Sequence, residues 1–163
     1  MNTKILLVIG LLFVLSGCGN ESPDSSMVGG NDVDPVVYVE DDDPAMQAAI
    51  EQAKESFDQF LSNYESINAD SIGVKFGLET DDKSLEHIWF EPIAITETEF
   101  KGICSNDPAD VPGLKYGDVK TFSLDRMSDW MIVVGNKCYG GFTIRVLAER
   151  QPELVHPLEF VDF

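Results

Sequence analysis

Basic residues are scarce in this chain: 11 Lys and Arg stand against 29 Asp and Glu, for a formal net charge of −18. A surface of that sign repels phosphate backbones and anionic headgroups, which excludes nucleic-acid binding. It favours solubility first and admits basic partners or divalent cations second. Histidine is nearly missing, with two in all. His87 and His156 are far apart, and His156 lies in a Pro-containing tail, so no His-rich metal site is expected. No Gly-x-Ser-x-Gly elbow presents a serine. No Gly-rich loop ends in the phosphate-binding Lys pattern. We therefore expect no cofactor. Cys104 and Cys138 are too widely spaced for a zinc pattern. No apolar run reaches the roughly 20 residues of a spanning helix.

What is present begins at the N-terminus. Lys4 is followed by the apolar run Ile5 to Leu15, then by Leu15-Ser16-Gly17-Cys18. A positive start, an apolar stretch and small residues before a cut make a secretory leader. With the cysteine, the pattern looks like a lipobox. Residues 1–18 thus read as a lipoprotein signal peptide, with Cys18 becoming the lipidated first residue. Acyl chains such as palmitate would anchor the protein to the membrane without spanning it. The expected location is extracytoplasmic. Gly19, where inner-membrane lipoproteins commonly carry Asp, implies the outer membrane facing the periplasm in a Gram-negative host. A Gram-positive host would place it on the outer face of the plasma membrane.

Residues 19–42 read as an acidic flexible tether, rich in Ser, Gly, Pro and acids. Val36-Val37-Tyr38-Val39 stands out there as a short edge-strand candidate. Residues 43–150 read as a single domain and 151–163 as a C-terminal tail. With Cys18 taken by lipid, Cys104 and Cys138 are an even pair in an oxidising compartment. They form either a disulfide or two separate buried thiols, since spacing alone does not establish geometry.

Asp43 suits an N-cap and Pro44 a first turn. Met46, Ala49, Ile50, Ala53, Phe57, Phe60, Leu61 and Tyr64 recur at helical spacing, which predicts one long helix ending near Asn68. Strands are predicted at Ile72–Leu78, His87–Thr96, Phe100–Cys104, Asp118–Leu124 and Trp130–Val134. Gly135-Asn136 marks a hairpin into Lys137-Cys138-Tyr139. After Gly140-Gly141, the spacing of Phe142, Arg145, Val146 and Glu149 predicts a short helix. The class is α+β: a small antiparallel β-sheet packed by one long N-terminal helix, with a short C-terminal helix.

The order of these segments resembles the YegJ-like domain-of-unknown-function family (number 2314). Its carriers are Glu86-His87-Ile88-Trp89, Phe100-Lys101-Gly102, Tyr116-Gly117-Asp118-Val119, Ser128-Asp129-Trp130-Met131 and Gly140-Gly141-Phe142-Thr143-Ile144-Arg145-Val146-Leu147. The likeness spans about residues 44–150. It supports the fold and implies no particular chemistry.

Alternation along a strand puts His87, Trp89 and Glu91 on one face. That face is a candidate binding groove or a half-buried His packed beside an aromatic. Asp118 and Asp129 are acids that would orient His87. Asp129 would start a strand with Trp130 as a large aromatic in the core, Arg145 is a partner for Asp118 or Asp129 by charge, and these four are counted with His87, Trp89 and Glu91 in the candidate binding face. Gly140-Gly141 either exposes N–H groups to an anion or lets backbone pack tightly. The leading expectation is a non-catalytic binding or interaction module with an envelope protein partner. The alternatives are a hydrolase-like enzyme using the His87/Trp89 face, and an immunity-type protein.

Overall fold

A computed structural model describes residues 4–8, 36–40, 42–152, 155 and 158–163. Cys18 and the lipobox, most of the tether, and His156 lie outside the described residues. The elements run β1 (Lys4–Val8), β2 (Val36–Glu40), α1 (Pro44–Glu55), α2 (Phe57–Asn63), β3 (Ser71–Glu79), β4 (Leu85–Ile95), β5 (Glu99–Cys104), β6 (Val119–Ser123), β7 (Met127–Val134), β8 (Lys137–Gly140), α3 (Phe142–Arg150) and β9 (Glu159–Val161). The fold is α+β. Its sheet has the strand order β2-β1-β4-β3-β7-β8-β9, with β5 added to β4 and β6 to β5. Pairing is mostly antiparallel; β1 with β4 and β8 with β9 are parallel.

The helical stripe expected to form one long helix is divided. Asp43 caps α1 by accepting from Met46 N–H at 2.9 Å, with Pro44 in the first turn. The helix stops at Ser56, whose hydroxyl donates back to Gln52 O at 2.7 Å. A serine that bonds its own preceding turn bends or ends a helix. α2 then restarts at Phe57. The break lets Ser56 Oγ and Ala53 O both accept from Trp130 Nε1, at 3.1 and 3.0 Å.

Two buried clusters hold the sheet to the helices. The larger joins Val74, Phe76 and Leu78 of β3 to Ile88 and Phe90 of β4, Trp130 and Ile132 of β7, and Ala53, Phe57 and Phe60 of the helices. The smaller joins Trp89, Met131, Val133 and Cys138 to Val39, Met46, Ile144 and Leu147. Alternate positions of β4 and β7 feed different clusters because side chains point to opposite faces. Both faces of the central strands are therefore covered.

Cys104 and Cys138 are both free and buried, in different clusters. The two-thiol alternative holds and the disulfide does not form here. Burial pushes the Cys104 thiol up to about 11 and the Cys138 thiol up to about 12, so neither is a ready nucleophile. The segment read as a C-terminal tail carries β9, which pairs with β8 and places Phe163 flat on Tyr139 at 4.4 Å.

Candidate functional site

β3 reads Gly73-x-Lys75-x-Gly77, so one face of that strand presents a lysine between two glycines. The bare positions are filled from β4. A Cβ on Gly73 would lie 3.1 Å from the Trp89 ring, and one on Gly77 3.2 Å from the His87 ring. Lys75 Nζ sits 4.4 Å over the centre of Trp89. It is completely buried and donates to Thr143 Oγ1 at 2.7 Å. The Thr143 hydroxyl passes the chain on, donating to Asp129 Oδ2 at 2.5 Å.

Asp129 is equally buried. Besides the Thr143 hydroxyl it accepts from three backbone N–H groups: Trp130 at 2.8 Å, Phe142 at 3.1 Å and Thr143 at 2.9 Å. The last two belong to the first turn of α3. The helix start that Gly140-Gly141 opens is thus filled by the protein's own carboxylate, which complements the helix dipole. The glycines serve close packing: Gly140 has φ 72°, and a Cβ there would lie 2.3 Å from Trp130 O. Burial raises the Asp129 carboxyl, and the Lys75 charge and the Thr143 hydroxyl oppose that. Burial lowers Lys75 to about 8, with Asp129 opposing.

His87 stands at the other end of the same face. Its Nδ1 is 2.8 Å from Ser128 Oγ. Ser128 Oγ also donates to Lys75 O at 3.3 Å. With its single hydroxyl proton so used, Ser128 accepts from Nδ1–H, which leaves a lone pair on Nε2. Nε2 is buried with no hydrogen-bond partner. Burial first, and the Lys75 charge second, hold the imidazole down to about 3. It is neutral across the physiological range.

The expected face therefore divides. His87 and Trp89 are buried, and Asp129 joins them through Lys75 and Thr143. Glu91 is exposed and lines a separate cavity of about 410 Å³ with Tyr64, Glu65, Asp70, Ser105 and Tyr116. Asp118 does not orient His87; its carboxylate accepts from Lys115 N–H at 3.1 Å in a turn. Trp130 is buried in the larger core cluster and so does not belong to an open binding face. Arg145 pairs with neither Asp118 nor Asp129. Its Nε donates to Gly140 O at 3.0 Å, and its other contacts are Val161 O at 3.3 Å, Asp162 at 3.5 Å and the rings of Phe142 and Phe160. β9 brings those partners within reach, and Asp129 is already saturated.

Sequence reasoning missed Lys75, Ser128, Thr143 and the role of Glu86. Glu86 is fully buried and clamps the loop after β5 by accepting from Ala109 and Asp110 N–H at 2.7 and 2.8 Å. The lone Lys between two glycines in an apolar strand was the available signal. Among the described residues, no group of three or more His, Cys, Asp or Glu is placed to hold a metal, and no helix is long and apolar enough to cross a membrane.

A compact α+β domain with a polar network sealed between sheet and helix is the class this geometry defines. The chain belongs to the domain-of-unknown-function family 2314, described as an uncharacterized protein conserved in bacteria, whose model matches residues 43–153. It is 33% identical over 150 residues to uncharacterized protein YegJ of Escherichia coli (strain K12), covering 92% of this chain and 91% of that one. It is 26% identical over 127 residues to putative ankyrin repeat protein NMB1133/NMB1171 of Neisseria meningitidis serogroup B (strain ATCC BAA-335 / MC58). That match covers 72% of this chain and 50% of the relative, so it spans about half of the longer protein. No solved structure matches.

Proposed function

We propose that this chain is a lipid-anchored protein of the cell envelope, extracytoplasmic, whose folded domain binds a partner and performs no chemistry of its own. Acyl chains on Cys18, left as the first residue once the leader is cut, supply the anchor, and residues 19–42 the tether. One observation supports the non-catalytic reading above others. Asp129 spends its acceptor capacity on Trp130, Phe142 and Thr143, and Lys75 spends its charge on Thr143 and Trp89. The charged groups of this face hold the fold together rather than face a substrate. The accessible recognition chemistry lies at the Glu91 cavity, where Tyr116 is 58% exposed. Aromatic walls with carboxylates suit a cationic group on an envelope partner.

The test places a photo-cross-linking residue at Tyr116 in cells expressing the full chain. The expected result is a discrete envelope adduct that is lost in Glu91→Lys. No adduct above that of a probe at exposed Lys137 overturns the binding reading. A hydrolase-like reading has one contact in its favour, Ser128 Oγ beside His87 Nδ1. It ranks second because an imidazole held near 3 is a poor base at neutral pH.

A further inference from the structure

Strand β4 carries backbone groups toward two neighbours. Trp89 N–H donates to Asn106 Oδ1 at 2.8 Å, and Trp89 O accepts from Ser105 N–H at 3.0 Å, both just beyond β5. Alternation sends the N–H and C=O of His87 and Leu85 toward the same edge. There β5 has ended, and β1 takes its place, with Ile5 opposite Leu85 and Leu7 opposite His87. β2 lies beyond β1, with Val39 opposite Ile5 and Val37 opposite Leu7. β1 falls inside the segment read above as a leader. Its removal would strip the β4 edge of its partner and leave β2 one strand too far out.

We infer that, after the leader is cut, Val36–Glu40 moves inward by one strand and pairs antiparallel with Leu85–His87 of β4. The inference rests on the leader reading of the preceding section. Three observations carry the choice of occupant. β2 already runs antiparallel to β1, which is parallel to β4, so no reversal of direction is needed. Moving across one strand keeps parity, so Val39 stays on the side of Met46 and Trp89, where it is already buried. The link is also long enough. Asp43 is held by both guanidinium nitrogens of Arg150, at 2.7 and 2.9 Å. The steps from Glu40 to Asp43 reach up to about 10 Å. A strand shift requires roughly 4.8 Å. A segment joined this closely outcompetes a free strand by effective concentration. An open edge would otherwise invite pairing between chains.

The test uses the full chain expressed with its leader and taken from envelopes in mild detergent. Val39→Cys with Leu85→Cys reads the pairing. In the processed protein these residues become direct neighbours, within disulfide range. In the Cys18→Ser precursor, β1 separates them by two strand spacings, roughly 10 Å. The expected result is an intramolecular disulfide in the processed chain, absent from the precursor. In the otherwise unaltered processed chain, the Leu85 and His87 amides should exchange as slowly as that of Trp89. A processed chain with no cross-link and fast exchange at Leu85 and His87 overturns the inference. So does a cross-link found only between two chains, which assigns the edge to a second copy. The mass of the wild-type N-terminus separates the two ideas: a chain that keeps residues 1–17 overturns the leader reading and the inference with it. A chain beginning at acylated Cys18 without the cross-link overturns the inference alone.

Discussion

The first half of β4, Leu85 to Phe90, and its second half, Glu91 to Ile95, are one continuous strand in two surroundings. After Leu85 the first half is buried at every position, and the second is half-buried or exposed throughout. β3 flanks only the first half, ending its pairing at Val74 opposite Phe90. The second half pairs with β5 alone, and its register breaks between Pro92 and Ala94. Both halves carry polar side chains. In the first, burial forces each to find an internal partner, because an unpaired polar group away from water is costly. Glu86 closes a loop and His87 bonds Ser128. In the second, Glu91 is exposed and lines the open cavity beside Tyr116.

The contrast breaks most sharply at Asp129, which serves the buried half. Asp129→Ala leaves Lys75 as an uncompensated buried charge and strips the start of α3. The expected loss is about 3–5 kcal/mol, read from the urea midpoint. A loss no larger than that of an exposed-site variant would remove the network from the account of the fold.

A second, smaller effect is a pH dependence centred on His87. Its folded pKa near 3 lies below the ordinary 6.5. Between those values the unfolded chain binds the proton and the folded one does not. Stability is therefore complete above about 6.5 and falls by about 1.4 kcal/mol per unit of pH below that, roughly 3 kcal/mol in all by pH 4. His87→Phe should flatten that part of the profile in denaturation measured from pH 7 to 4. A profile that keeps its slope would assign the acid sensitivity to carboxylates instead.

The smallest effect is expected in the open half. Glu91→Gln and Tyr116→Ala should each change the unfolding free energy, read from the urea midpoint, by no more than about 0.5 kcal/mol, as exposed sites usually do. Glu91→Gln should still weaken the adduct formed by the probe at position 116. A stability loss comparable to that of Asp129→Ala would mean that this half is built like the first.

Much of the fold was legible because local patterns and tertiary packing agree. The period-two runs in β3, β4 and β7, the Gly135-Asn136 hairpin and the Asp43 cap each follow from residues close in the chain. The reading failed where one pattern hid another. The apolar stripe through Ser56 is continuous, so nothing in its spacing marks the bond to Gln52 O that divides the helix. β9 is three residues long, and its pairing with β8 depends on a neighbour some 20 positions away.

The candidate site was legible in half. The face shared by His87, Trp89 and Glu91 follows from alternation, and so does Trp130 in the core. The sequence alone also determines the acidic charge, the α+β class and the family, since these depend on composition, on short-range periodicity and on motif order. Only the tertiary structure decided that Lys75 is buried. Alternation in β3 put it opposite the apolar face, where a single-sided sheet would give it to water. Here Trp89 and the first turn of α3 cover that side as well. With no water to solvate the ammonium group, Lys75 is committed to Thr143 and, through it, to Asp129, a partner brought together only by pairing β3 with β7.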